Sequence, residues 1–192
     1  MIKDYWEHQH KVNNKKALTG STLQQYLQFF GLTDSFLQDK VILEIGVGMG
    51  IATRHLGILT DDLDVLDISE VAINKVSNWI VKGYLDPKEL EDNMYDVAIS
   101  HLVAQHMSNA DLLNQLTHVI RALTPDGVLY IQWADANGDN GEDYDAQASG
   151  GVLRDMEEME RLVAQAGGVM HMITTKGINN NVQFYGARVR RK

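Results

Sequence analysis

Val41-Ile42-Leu43-Glu44-Ile45-Gly46-Val47-Gly48-Met49-Gly50 is the stretch that decides how the rest of the chain is read. Residues 41–45 are apolar except Glu44 and rich in β-branched side chains, as a strand buried on both faces should be, and glycines follow at once. Without β-carbons the backbone can turn sharply and a ligand can approach the amides, and a helix opening at about residue 50 would favour negative charge there. Strand, glycine turn and helix make the first unit of an open α/β sheet. In such sheets ligands sit beyond the carboxyl ends of the strands, near the point where strand order reverses.

Working outward, residues 63–68 read as a second strand with Asp67 near its end, and Ser69 caps a helix presenting Val71, Ile73, Val76 and Ile80. A third strand is expected near residues 80–85 and a fourth over 95–100. Ser108 opens a helix with Leu112, Leu116, Val119, Ile120 and Leu123 on one face, ended by the turn Thr124-Pro125-Asp126-Gly127, and a fifth strand covers 128–133. Asp155 caps a helix bearing Met156, Met159, Leu162, Val163 and Ala166, stopped by Gly167-Gly168. Residues 169–173 and 183–189 then form a hairpin. Upstream, Ser21 caps a helix carrying Leu23, Tyr26, Leu27 and Phe30, with Gly31 as its stop. The alternation predicts a doubly wound, mostly parallel seven-stranded α/β sheet of Rossmann-like form with an antiparallel C-terminal strand. Residues 1–37 are expected as an N-terminal helical lid or cap and 38–192 as the main domain.

The 192 residues, 44% hydrophobic and 22% charged, fit one globular unit. Lys and Arg number 17 against 26 Asp and Glu, and the net charge of −9 repels a phosphate backbone, so nucleic acid is not expected as a partner. Cysteine is absent, which removes disulfides, zinc–thiolate sites and a cysteine nucleophile, and fits a reducing compartment. The opening Met1-Ile2-Lys3-Asp4-Tyr5-Trp6-Glu7 lacks the apolar run of a signal peptide, and no stretch approaches the roughly 18 apolar residues of a membrane span. The expectation is a cytoplasmic monomer or homodimer without membrane contact.

The dinucleotide fingerprint wants glycine at its first, third and sixth positions; Gly46 and Gly48 meet it, and Ile51 fails where glycine allows close helix–strand packing. That disfavours a nicotinamide-dependent oxidoreductase. Asp67, 21 residues beyond Gly46, is placed to accept hydrogen bonds from both hydroxyls of a ribose. With Leu66-Asp67-Ile68-Ser69 and Tyr95-Asp96-Val97-Ala98-Ile99-Ser100 following the glycine stretch, the chain from about residue 38 onward resembles a class I S-adenosylmethionine-dependent methyltransferase. The resemblance implies S-adenosyl-L-methionine as cofactor, Gly46 and Gly48 near its methionine end within the Gly46–Gly50 loop, and Asp67 on its ribose. Glu44 would position the loop or the cofactor's ammonium, and Ile68, Ser100 and Leu102 would line the same site. One departure is the Tyr84 that follows Gly83, where such enzymes often carry an acid reaching the adenine. Asp86 could substitute in a shifted register; it also reads as an ordinary turn acid before Pro87, with backbone amides meeting the adenine.

Methyl transfer from a sulfonium needs little covalent help, so the protein chiefly aligns a small-molecule acceptor, with O or N favoured over C, and excludes water. Where the acceptor must lose a proton, His101 and His106, just past the fourth strand, are the candidate bases, and both also suit packing. The family often has a histidine where His106 falls. Ser100-His101-Leu102-Val103 lacks the Asn/Asp-Pro-Pro-aromatic run of amino-group base methylases. His8-x-His10 has no third ligand in view and reads as a solvated terminal stretch, and His55, His118 and His171 as surface or packed residues, so no metal site is expected. The acidic run from Asp135 to Asp145 has Asn140 and Ala146 where a calcium loop wants glycine and glutamate, and reads as a solvated loop and possible acceptor-site wall. Tyr5 and Trp6 could close over the cofactor. A non-catalytic cofactor-binding or scaffold protein remains the alternative.

Overall fold

The four residues of β1 (Ile42–Ile45) are all buried, and their side chains alternate between two cores because successive β-carbons point to opposite faces. The computed structural model describes residues 2–12, 23–135, 152–179 and 182–192. Its strands β1, β2 (Leu63–Leu66), β3 (Lys82–Tyr84), β4 (Tyr95–Ser100), β5 (Leu123–Ala134), β6 (Gly168–Asn179) and β7 (Val182–Arg191) form one sheet in the order β3-β2-β1-β4-β5-β7-β6. The first five are parallel to one another, and β7 runs antiparallel to both β5 and β6. The expected seven-stranded, mostly parallel sheet with an antiparallel C-terminal strand is what the chain forms.

Helices cover both faces. On one, Leu43, Ile45, Ala98, Leu129 and Ile131 meet Leu112 and Leu116 of α6 (Asn109–Ala122) and Met159 and Leu162 of α7 (Met156–Gln165). On the other, Ile42, Val97, Ile99 and Tyr130 meet Ala52 and Leu56 of α4 (Ile51–Leu59), Phe30 of α2 (Leu23–Phe30) and Leu37 of α3 (Asp34–Leu37). Ser69, Ser108 and Asp155 each accept a backbone N–H as helix caps, at α5 (Glu70–Lys75), α6 and α7. The proposed cap Ser21 lies outside the described residues, as do 136–145 of the acidic run.

Three local expectations are corrected. The turn at residues 124–127 lies inside β5: Tyr95 pairs with Leu123 and Val97 with Val128, so four residues bulge opposite one. Gly127 permits this, since a Cβ there would stand 2.6 Å from the Tyr95 carbonyl oxygen. The third strand is shortened because α5 stops at Lys75 and a 3₁₀ turn over Ser77–Trp79 intervenes. Finally, α1 (Ile2–Val12) is docked rather than solvated at His10, which is buried. Glu7 Oε1 accepts the Glu70 N–H at 2.9 Å, and Lys75 Nζ donates to the His10 carbonyl at 2.5 Å, tying α1 to α5.

Strand order reverses between β1 and β4, where Ile45 and Ser100 are paired at the carboxyl ends. The crevice belongs at that point.

Candidate functional site

Gly46, Gly48 and Gly50 all have left-handed backbones, with φ of 82°, 55° and 71°. A Cβ on Gly46 would stand 2.3 Å from Val103 Cγ2 and one on Gly50 2.5 Å from Val76 Cγ1, whereas nothing lies within 4 Å of the position at Gly48. Two glycines therefore let packed elements touch, and the middle one leaves its backbone open to a ligand. Gly50 caps α4 without a side chain, so the first turn's amides have no side-chain acceptor.

Asp67, just past β2, is buried, and its two carboxylate oxygens each accept a backbone N–H at 2.8 Å, from Val47 and from Ser69. A carboxylate has about four lone-pair sites, so acceptor capacity remains after shaping the loop. Burial pushes its pKa up to about 6; the Ser69 and Val47 amide bonds oppose this, the charge of Glu7 adds to it, and the Gly48 amide opposes it. Glu44 lies beneath the loop, 2% exposed, and its Oε2 has no hydrogen-bond partner. Burial holds its carboxyl up to about 8, eased by the Thr53 hydroxyl and reinforced by the charge of Asp67. A buried, unsatisfied carboxyl oxygen is costly and suits a cationic donor arriving from outside.

The β4 side differs. Ser100 is fully buried, and its Oγ has no hydrogen-bond partner. Leu102 has φ of 59°, a conformation that costs a bulky residue on the order of 1–3 kcal/mol, and its N–H donates to Oε1 of buried Gln132 at 3.0 Å. Ile68 is 38% exposed beside Asp67. Asp86 is exposed, and its Oδ1 accepts the Lys88 N–H at 3.0 Å, the turn-acid role. Tyr84 instead serves the core, its hydroxyl meeting Asp64 Oδ2 at 3.4 Å and the Tyr95 hydroxyl at 3.3 Å.

The two histidines part company. His101 packs edge-on against Phe29 and Phe30, each ring centre 5.8 Å away, and burial depresses its pKa to about 4. His106 ends a 3₁₀ turn over Ala104–His106 and meets the ring of Trp6 of α1 at 5.0 Å, edge to face. Sequence reasoning missed Arg154, which is 0% exposed and donates to the carbonyls of Ala104 and Met107, at 2.8 and 2.5 Å. Its only sequence signal is a lone basic residue before the Asp155 cap. Gln132 was missed as well, although it stands out as the one amide in the run Val128-Leu129-Tyr130-Ile131-Gln132-Trp133. Among the described residues no group of three or more His, Asp or Glu could hold a metal ion, and no helix is long and apolar enough to cross a membrane.

Solved structures share this architecture at low identity. Magnesium protoporphyrin IX methyltransferase from Synechocystis PCC 6803, with bound S-adenosylhomocysteine, is 13% identical with a TM-score of 0.73 over 100% of this chain and 98% of that one. A Burkholderia thailandensis 1,6-didemethyltoxoflavin-N1-methyltransferase is 12% identical with a TM-score of 0.71, covering 100% and 87%. A Haemonchus contortus phosphoethanolamine N-methyltransferase is 15% identical with a TM-score of 0.76, covering 100% and 61%. No protein of curated function matches the sequence. A family model described as a methyltransferase domain matches residues 6–192. With that match, the strand order and the glycine loop, the chain belongs to the methyltransferase-domain family, whose members of this fold are class I S-adenosylmethionine-dependent enzymes.

Proposed function

We propose that the protein transfers the methyl group of S-adenosylmethionine to an oxygen or nitrogen of a small molecule, with His106 as the base where the acceptor must lose a proton. The observation that carries this is the contact between the two loops of the crevice. Gly46 of the cofactor loop abuts Val103, three residues before His106, so closely that no Cβ fits between them. Donor and acceptor are then held by elements that touch, which is the alignment such a transfer needs.

The cofactor supplies a methyl group on a sulfonium, whose departure as a neutral thioether needs no protein acid. The chain's own residues do the rest. Gly48 gives close backbone access, Glu44 offers an unsatisfied oxygen to the cofactor's ammonium, and Asp67 has acceptor capacity left for its ribose. Ile68, Ser100 and Leu102 border the same edge, and α1, the described first part of the segment expected as a lid, would cover it through Trp6, which meets His106, while Glu7 ties α1 to Glu70. His106, half-buried beside an aromatic ring, takes the acceptor's proton, and His101 serves as wall, because an imidazole held near 4 binds a proton poorly. A small acceptor agrees with the small molecules that the structural neighbours are named for, and the charge of −9 disfavours nucleic acid.

Calorimetry with S-adenosylmethionine, S-adenosylhomocysteine and NAD tests the cofactor: the two sulfur nucleosides should bind and NAD should not. With an acceptor found by screening phenols, amines and sugars, His106→Gln should lower turnover by roughly 10²–10⁴ at nearly unchanged cofactor affinity. Near-normal turnover would remove His106 as the base.

A further inference from the structure

A fully buried arginine needs partners, and among the described residues the side chain of Arg154 bonds only neutral oxygens, two on the turn that carries His106 and one on the Asn109 that opens α6, with the charge of Glu158 nearby. Its Nε donates to Asn109 Oδ1 at 2.8 Å, Nη1 to the Ala104 carbonyl at 2.8 Å and Nη2 to the Met107 carbonyl at 2.5 Å. These acceptors bracket His106. The carboxylate of Glu158 joins the cluster through Asn109, whose Nδ2 donates to Glu158 Oε1. The main chain of the same segment is fixed separately: the Arg154 N–H donates to the Ala134 carbonyl at 3.0 Å, at the end of β5, and the Val152 N–H donates to the Gln105 carbonyl at 2.6 Å.

A single 3₁₀ turn is too short to hold its own shape: the Ala104 carbonyl takes the Met107 N–H within it at 3.3 Å, and the Met107 carbonyl lies past its end. Here an outside cation bonds both. Burying that cation against neutral oxygens carries a desolvation cost that an apolar contact would avoid, so the arrangement is poor as packing and good as a geometric clamp. The planar fork matters: three donors in fixed directions meet three acceptors, which a lysine ammonium cannot reproduce.

We propose that Arg154 is a positioning residue for the transfer reaction, clamping the turn at residues 104–107 to the end of β5 and thereby setting the His106 ring against Trp6 and toward the acceptor. This rests on the reading of His106 as the base, and the test separates the two. The His106 Cε1–H signal, assigned by its loss in His106→Gln, is followed by NMR in the full chain, with S-adenosylhomocysteine affinity measured in parallel. In Arg154→Lys the signal should move as the Trp6 ring-current shift is lost, while the nucleoside binds within about threefold of the parent affinity. With a working acceptor, kcat should fall by about 10- to 100-fold, the order expected of a misplaced reacting group. Asn109→Ala, which removes one acceptor and leaves the arginine, should move the signal the same way by less, and keeps the test open if Arg154→Lys fails to fold. An unmoved signal in the folded variants overturns the clamp, as does an Arg154→Lys protein that folds but no longer binds the nucleoside. A moved signal with normal turnover in His106→Gln would instead overturn the base and leave the clamp standing.

Discussion

The two ends of the crevice are built by different means. The end proposed for the cofactor is backbone: three left-handed glycines, the amides of Val47 and Ser69, and a carboxylate that reaches them from residue 67. The end proposed for the acceptor is side chain: Gln132 holds the Leu102 amide, Arg154 holds two carbonyls, and Phe29, Phe30 and Trp6 face the histidines. Backbone geometry survives most changes of sequence as long as the glycines stay, which suits a ligand that never changes. A side-chain wall can be rebuilt residue by residue, which suits an acceptor that differs from one enzyme to the next.

The seam between the ends is Gly46 against Val103, and breaking it should have the largest effect. Gly46→Ala puts a Cβ 2.3 Å from Val103 Cγ2 on a residue with φ of 82°, so it strains the loop and pushes the acceptor turn at once. Affinity for S-adenosylhomocysteine should fall by about 2–4 kcal/mol, a clash plus a strained backbone. Adding Val103→Ala removes the clashing carbon and should restore about half of the loss. Calorimetry on the four proteins of the cycle decides: effects that add within about 0.5 kcal/mol would mean the ends are independent.

A smaller effect should confine itself to the cofactor end. Glu44, ordinarily near 4.5, is held up to about 8, so from about pH 4.5 to 8 the unfolded chain has lost a proton that the folded one keeps. Stability attributable to this group is full below that window, declines as pH rises through it and levels off above. A cationic ligand at Oε2 favours the ionised form, so binding S-adenosylmethionine at pH 7 should release about one proton and tighten as pH rises toward 8. Calorimetry in buffers of different ionisation heat measures the release. Glu44→Gln should abolish it and weaken binding at pH 8 by about 1.5–3 kcal/mol; release unchanged in that variant would place the proton elsewhere.

The same division explains what could be read in the chain. Glu44, the glycines and Asp67 form a local motif: the glycine turn and the acid at the second strand's end were read from spacing, and the role of Glu44 came only from the family resemblance. The sheet was legible because apolar runs alternate with capped helices, and the turn at 124–127 misled because Pro and Gly mark a bulge inside a strand as readily as a loop. Arg154 was illegible for a physical reason: one basic residue among acids reads as solvated surface, and only the fold brings Ala104 and Met107 to it. His10 shows the same, since its burial comes from α5, some 60 residues along. Tyr84 was visible as a departure, but its purpose needed Asp64 and Tyr95 beside it.

The smallest effect belongs to His101, and it sharpens the division of labour between the histidines. Its pKa falls from an ordinary 6.5 to about 4 because burial against Phe29 and Phe30 disfavours the charged ring. Between those values the unfolded chain takes up a proton that the folded one refuses, so this group's contribution is complete above about 6.5 and is lost as pH falls toward 4. The slope is at most about 1.4 kcal/mol per pH unit. His101→Phe keeps an aromatic ring in the cluster and removes the titration, so urea unfolding should show a shallower loss of stability below pH 6.5 than the parent. At pH 7.5 the variant should bind S-adenosylhomocysteine normally and turn over acceptor within about threefold, since a wall residue contributes packing rather than proton transfer. A hundredfold loss of turnover with binding and stability intact would exchange the two roles: the base would then lie on the α2 side of the crevice, and Arg154 would be clamping a turn that carries no proton.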